Sequence, residues 1–346
     1  MGGQTDLLDD RYRVLTVLAA GGSSVVYLAH HAGLGREVAI KVLRPELFGD
    51  EADVEGYLRE ARIVAGLNHV NILTVFDVGR LPDGRPYIVM EYVPGRSLSR
   101  LLEHGQVLPI DVAFDVFEQV AAGLGHAHRH GVVHRDIKPA NILLRQRSTG
   151  RPVVKVADFG IASVETSASL GHAPAYVGTP HYMSPEQAAG EPVVPASDLY
   201  SLGVVMYRAL TGQRVFPGDS PAELTLHHLR TEPRSLREVA PHLDIPPQLE
   251  AIVLKCLRKA SDERYVSTQH LLEDLERVRV ELLGPRSLTS QESLDPYPVA
   301  PPVPEGARAV AAPSPPAVPP RLVALVGAAG GALFFAGLAL GMWLGW

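Results

Sequence analysis

Two short runs concentrate the side chains of this sequence that could do polar chemistry. One is His134-Arg135-Asp136-Ile137-Lys138-Pro139-Ala140-Asn141, and the other, about 22 residues beyond Asp136, is Asp158-Phe159-Gly160. By type, a carboxylate can take a proton from a hydroxyl, oxygen donors can hold a hard cation, and an ammonium can steady an anion. Other polar groups promise less. His126, His128 and His130 advance in steps of two, which do not share one helical face, and no carboxylate accompanies them, so no metal site is expected there. Cys256 is the one cysteine, which excludes an internal disulfide and a cysteine-based zinc cluster; a buried apolar role is expected for it.

The runs HRDIKPAN and DFG, in this order and spacing, closely resemble the catalytic loop and metal-binding segment of eukaryotic-type protein kinases, and the resemblance extends from about Arg11 to Leu283. Moving a γ-phosphoryl group needs a hydroxyl held in line, metal bridging the phosphates and cations around the transferring oxygens. The resemblance supplies a residue for each demand. It makes Asp136 the catalytic base, and Lys138 the lysine that steadies the γ-phosphate and favours Ser/Thr over Tyr. Asn141 and Asp158 become the Mg²⁺-holding side chains, with Mn²⁺ as an alternative metal. In Val38-Ala39-Ile40-Lys41, Lys41 resembles the lysine that contacts the α- and β-phosphates of ATP. Strand alternation puts Ala39, lining the adenine pocket, on the same face. Glu60 resembles the helix glutamate that pairs with that lysine.

The glycine-rich loop departs from the family pattern G-x-G-x-x-G-x-V. In Ala19-Ala20-Gly21-Gly22-Ser23-Ser24-Val25-Val26 only the middle glycine survives, with Ala19 and Ser24 at the outer positions. Both lose φ freedom and add small side chains near the phosphates, so weaker or altered ATP binding is expected. Leu18, Gly21, Gly22 and Val26 are the nucleotide contacts expected from this region. Met90 sits at the gatekeeper position, Glu91 to Val93 at the hinge whose backbone binds adenine, and Leu143 at the apolar floor under the base. Residues 160–183 resemble an activation loop, with Thr166, Ser167 and Ser169 as candidate phosphorylation sites that could pair with Arg135. Thr179 is a further candidate whose position suits substrate recognition. Ser184-Pro185-Glu186 resembles the motif that closes that loop, and Glu186 with Arg264, and Asp198, resemble structural anchors. A scaffold that binds partners or nucleotide without phosphotransfer is the competing expectation, motivated by the eroded glycine loop.

These residues need elements to position them. Arg11–Leu18, Val25–His31, Glu37–Leu43 and Tyr87–Tyr92 are short, rich in Val, Ile, Leu and Tyr, and bounded by Gly or Pro, which predicts antiparallel strands. Glu51–Leu67 spaces its apolar residues as one helical face. Beyond Pro94 the periods become helical, in Ile110–His128, Leu199–Leu210, Leu249–Leu257 and Leu271–Leu282; Ser220-Pro221-Ala222-Glu223 has capping-box spacing. The fold class expected is α+β: a bilobal protein kinase fold with a small antiparallel-sheet lobe (about 11–92) bearing one main helix, and a larger helical lobe (about 94–283), after an N-terminal tail at 1–10.

The 346 residues are 46% hydrophobic, enough for a sizeable core, and the net charge of -6 carries no long basic run, which argues against a nucleic-acid partner. The N-terminus lacks a secretory pattern, and Asp6 stands where a myristoylation signal needs Ser or Thr. Residues 284–320 form a Pro-rich juxtamembrane linker whose composition suits an extended spacer better than a docking ligand. Residues 321–346 are expected to form a transmembrane helix: from Leu322 to Trp346 there is no charge over about 25 residues, more than the roughly 20 that cross a bilayer core. Arg308 and Arg321 precede it, so the positive-inside rule keeps the main domain cytoplasmic and leaves a very short far-side C-terminus. Glycines spaced by four in this span leave a homodimer open. The whole resembles bacterial eukaryotic-like Ser/Thr kinases: a membrane-tethered enzyme acting on Ser/Thr hydroxyls of protein substrates and autophosphorylating on its activation loop. With no far-side sensor in view, regulation is expected from cytoplasmic partners, membrane crowding or trans-autophosphorylation.

Overall fold

The computed structural model describes residues 7–8, 11–145, 151–159 and 180–285. The expected linker and span, apart from residues 284–285, and the candidate phosphorylation sites Thr166, Ser167, Ser169 and Thr179 lie outside the described residues. Among the described residues no helix is long and apolar enough to cross a membrane.

The first part of the chain is an antiparallel sheet. Its strands are β1 (Leu7–Leu8), β2 (Tyr12–Ala20), β3 (Ser24–His31), β4 (Arg36–Leu43), β5 (Val75–Arg80) and β6 (Pro86–Glu91), ordered β1-β2-β3-β4-β6-β5. β4 is apolar on both faces because both are covered. Val38, Ile40 and Val42 pack with Tyr12, Ala29, Tyr87 and Val89 on one side. Ala39 and Leu43 pack on the other with Tyr57, Leu58 and Ala61 of α1 (Glu51–Ala65) and with Ile88 and Met90. Period-two alternation thereby sends Lys41 to the α1 side. The helix starts where Asp50 accepts from the N–H groups of Ala52 and Asp53 at 2.8 and 3.1 Å, while the Asp53 carboxylate takes the N–H of Gly49 and Asp50. Strand β5 carries no clean alternation, with Asp77 and Gly79 inside it, and sequence patterning passes over it; its partner β6 defines it.

The second part is mainly helical. Short β7 (Arg96–Ser97) pairs with β8 (Ile142–Arg145), which pairs with β9 (Val153–Val156). The helices are α2 (Leu98–Leu101), α3 (Ile110–Arg129), α4 (Pro185–Ala189), α5 (Pro195–Thr211), α6 (Pro221–Arg230), α7 (Leu236–Val239), α8 (Pro247–Cys256) and α9 (Thr268–Leu283). Helix α3 is buried nearly all round, at Phe114, Phe117, Val120 and Leu124 among others, and forms one core with α5, α8 and α9. Ser220 caps α6 by accepting the N–H of Glu223 at 3.2 Å, whereas the Glu223 carboxylate reaches back to Asp219 N rather than to the cap residue. Cys256 is fully buried, and burial pushes its thiol up to about 12.

The crossing between the two parts runs through Tyr92 to Gly95. A side chain at Gly95 would bring its Cβ to 2.0 Å from the Leu144 carbonyl, so only glycine lets the crossing lie against β8. A second seam follows α1: Asn71 and Leu73 exchange hydrogen bonds with Val156, at 2.8 Å each, which fixes the end of β9 and hence the start of Asp158-Phe159.

Candidate active site

The run Pro139 to Asn141 makes one 3-10 turn ahead of β8. Around it, three of the expected residues meet. Lys138 Nζ donates to Asp136 Oδ2 at 2.6 Å, and Asn141 Nδ2 donates to the Asp136 carbonyl at 2.9 Å and to Asp136 Oδ2 at 3.1 Å. The turn is joined to β9 by the Ala157 N–H, which donates to the Asn141 carbonyl at 2.8 Å.

His134 anchors the same loop from below. Its ring is fully buried, accepts the Asp136 N–H at Nδ1 (3.2 Å) and so donates from Nε2 to the Ala157 carbonyl at 2.9 Å. The neutral tautomer follows from these two partners. The ring also packs on Phe159 at 4.5 Å between centroids. Asp198, at the start of α5, accepts the backbone N–H of His134 and of Arg135 and contacts His128 Nε2 at 2.7 Å. His128 thus turns to α5, while the His126 ring stacks on His69 and lies tilted against His130.

Lys41 Nζ stands 3.0 Å from Asp158 Oδ1, an ion pair between β4 and the residue that follows β9. Burial would raise the Asp158 carboxyl, but the Lys41 ammonium, aided by Lys138, outweighs it and holds the group below the usual carboxylate range. Asp158 sits at φ 61° and Arg135 at φ 66°, left-handed values uncommon outside glycine, and both flank the loop where the charges gather. Glu60 occupies the half-buried flank of α1 beside Ala61, which belongs to the cluster behind β4.

Of the expected nucleotide contacts, Ala39 belongs with Met90 to one apolar cluster against which Val26, Val93 and Leu143 pack. Val26 pairs with Lys41 across β3 and β4, and Ala39 with Met90 across β4 and β6. Leu18, 41% exposed on β2, is not among them. The Glu91 N–H donates to the Thr74 carbonyl, and its carboxylate pairs with Lys155 at 2.8 Å. Around Gly21 and Gly22, Ala19 pairs with Val26 just past a register shift that follows Val17, Ser24 pairs with Leu43, and neither Ala19 nor Ser24 has a positive φ. The φ freedom lost at these two positions is not one this hairpin uses.

Two residues at the site carry no motif of their own. Lys155, on β9, joins Glu91 and also donates to the Ile72 carbonyl at 3.2 Å. Gln187, on α4, donates from Nε2 to the Arg135 carbonyl at 2.7 Å. For Gln187 a signal was present, since Ser184-Pro185-Glu186-Gln187 has capping-box spacing.

A sheet lobe joined to a mainly helical lobe, with charged side chains from both meeting at one loop, is the arrangement of the protein kinase fold. The model of the protein kinase domain matches residues 12–275. Serine/threonine-protein kinase PknB of Mycolicibacterium smegmatis is 42% identical over 279 residues, which cover 78% of this chain and 43% of that protein. Serine/threonine-protein kinase PrkC of Bacillus subtilis is 37% identical over 286 residues, 82% of this chain and 43% of that protein. The chain therefore spans less than half the length of these curated relatives. Among solved structures, the PknI kinase domain of Mycobacterium tuberculosis, as its C20A mutant, superposes with a TM-score of 0.62 at 27% identity, covering 80% of this chain and 99% of that one. The chain belongs to the protein kinase domain family.

Proposed function

We propose that this chain transfers the γ-phosphoryl group of ATP to Ser and Thr hydroxyls of proteins. The observation that carries the proposal is the meeting of Lys41 and Asp158 at 3.0 Å beside a loop whose Asp136 carboxylate is already held by Lys138 and Asn141. Asp136 orients the incoming hydroxyl and takes its proton, Lys138 faces the charge on the transferring group, and Lys41 holds the phosphates from the sheet side. Adenine lies in the apolar cluster of Val26, Ala39, Met90, Val93 and Leu143.

The donor set fits Mg²⁺. Asn141 uses its NH₂ on Asp136, which leaves its oxygen as the acceptor, and Asp158 is kept ionised by Lys41. Bound there, the metal supplies positive charge to the phosphate oxygens. The scaffold alternative drew its motive from Ala19 and Ser24, and the absence of a positive φ at either residue weakens the backbone part of that motive.

The finer part of the proposal rests on sequence. The 321–346 segment, uncharged from Leu322 to Trp346, tethers the chain to a membrane with the kinase domain cytoplasmic, its small-residue spacing serves a homodimer, and the chain autophosphorylates among Thr166, Ser167, Ser169 and Thr179. Incubating the purified full chain with Mg²⁺, labelled ATP and a protein substrate, beside Asp136→Asn, tests the activity: equal label in both discards it. Flotation of the chain with lipid vesicles tests the tether, and a chain cut after 320 that floats equally well discards that part.

A further inference from the structure

The Gln187 side chain is engaged at both ends. Its Oε1 accepts from the backbone N–H of Ser184 at 3.0 Å and from Ser184 Oγ at 3.3 Å, while the Gln187 N–H donates to Ser184 Oγ at 3.3 Å. This reciprocal capping box starts α4 and fixes the orientation of the carboxamide. Ser184 itself is fully buried, so the box is anchored in the core. The NH₂ on the other side of the carboxamide then reaches the Arg135 carbonyl at 2.7 Å.

That carbonyl shares a planar peptide group with the N–H of Asp136. The N–H end is held by His134 Nδ1 at 3.2 Å, so the plane between Arg135 and Asp136 is fixed at both ends. Rotation of this plane would swing the Cα–Cβ bond of Asp136 and with it the carboxylate. The plane follows a residue at φ 66°, a conformation that the neighbouring contacts must maintain.

We propose that Gln187 is a positioning residue for phosphoryl transfer: from α4 it pins the Arg135–Asp136 peptide plane and thereby sets the aim of the Asp136 carboxylate. The proposal rests on the assignment of Asp136 as the base. The alternative is that Gln187 merely fastens α4 to its neighbour, a structural role with no bearing on turnover.

The test compares Gln187→Glu with the wild-type full chain. Glutamate is a preferred residue at this position of a capping box, so α4 keeps its start, but the donor to the Arg135 carbonyl is gone. The expected result is a fall in kcat of about tenfold, with KM for ATP within about twofold and the melting temperature little changed. Backbone amide exchange at His134 to Asp136 speeds up in the same variant. Gln187→Met, which removes both halves of the amide, lowers kcat at least as far and serves if the glutamate variant folds poorly. Gln213→Glu, which loses a comparable amide contact to the Val239 carbonyl away from the site, changes neither kcat nor exchange at 134–136. Unchanged kcat in both Gln187 variants overturns the proposal, as does a kcat loss that only parallels losses of melting temperature and ATP affinity. If the wild type labels no more than Asp136→Asn, the phosphotransfer assignment fails by itself, and exchange at 134–136 decides whether Gln187 pins the loop: unchanged exchange overturns that too.

Discussion

Asp198 Oδ1 accepts the backbone N–H of Arg135 at 2.9 Å, so a buried carboxylate at the start of α5 holds a residue that turns left-handed at φ 66°. The second oxygen takes the His134 N–H at 2.8 Å. Two charge-assisted bonds to consecutive amides are what a carboxylate can make and a carboxamide cannot. Asp198→Asn puts an NH₂ where one acceptor stood. A loss of about 2–3 kcal/mol of stability is expected in urea denaturation, together with a lowered kcat in the folded fraction. A variant as stable and as active as wild type would show that the loop holds its shape without this anchor.

Glu186 and Arg264 form a buried pair at 2.7 Å whose two members are not equivalent. Arg264 also donates to the carbonyls of Ala196, Arg258 and Lys259 at 2.8–3.0 Å. Arg264→Met strands a buried carboxylate and three acceptors and is expected to cost about 3–5 kcal/mol. Glu186→Gln leaves the guanidinium its carbonyls and should cost clearly less. Denaturant midpoints of the two variants check the asymmetry, and equal losses would refute it.

How much of this was legible in sequence depends on how local each feature is. HRDIKPAN packs a base, a lysine and an amide into one short loop, so residue types alone bring Asp136, Lys138 and Asn141 together. VAIK works through alternation: β4 buries Val38 and Ile40 on one face and Ala39 on the other, and the side on which Lys41 emerges follows. The glycine loop shows the limit of reading identity for conformation. Ala19 and Ser24 suggested lost φ freedom, yet both lie on strand ladders that need none. Lys155 was invisible, and Gln187 legible only as a capping residue, because their partners, Glu91 and the Arg135 carbonyl, lie on other elements, and only the fold brings them into reach. Strand β5 was missed for the same reason, since its pairing with β6 decides it rather than its own pattern.

His228 makes the large lobe sensitive to mild acid. The ring is fully buried; burial, helped by the Lys259 ammonium, lowers its pKa to about 3 from an ordinary 6.5. As pH falls below 6.5 the unfolded chain takes up this proton first, so stability drops with falling pH until about pH 3. The slope is about 1.4 kcal/mol per pH unit from this one group. His228→Gln keeps a polar partner for the Tyr200 hydroxyl, which lies 3.0 Å from His228 Nδ1, and removes the titration. Melting temperatures from pH 7 to pH 5 are expected to fall more steeply in wild type than in this variant, and parallel curves would exclude His228 as the source.

The Lys41–Asp158 pair carries the last expectation, and its sign differs between wild type and variant. In wild type burial raises the carboxyl but Lys41 lowers it further, so the folded value lies under the ordinary 3.8. Its contribution to stability is then present above about pH 4 and lost as pH falls through the lower folded value. In Lys41→Met the burial remains and the largest compensating charge is gone, so the carboxyl climbs, with Lys138 offsetting part of the rise. Wherever the variant's value passes 3.8, the folded state binds the proton more tightly than the unfolded one, and stability decreases with rising pH across that interval. Carbon-detected NMR titration of the Asp158 carboxyl reads the shift directly, and phosphotransfer by the same variant is expected to fall by about 100-fold or more. An Asp158 titration that does not move when Lys41 is replaced would mean that the 3.0 Å contact is not what keeps this carboxylate ionised.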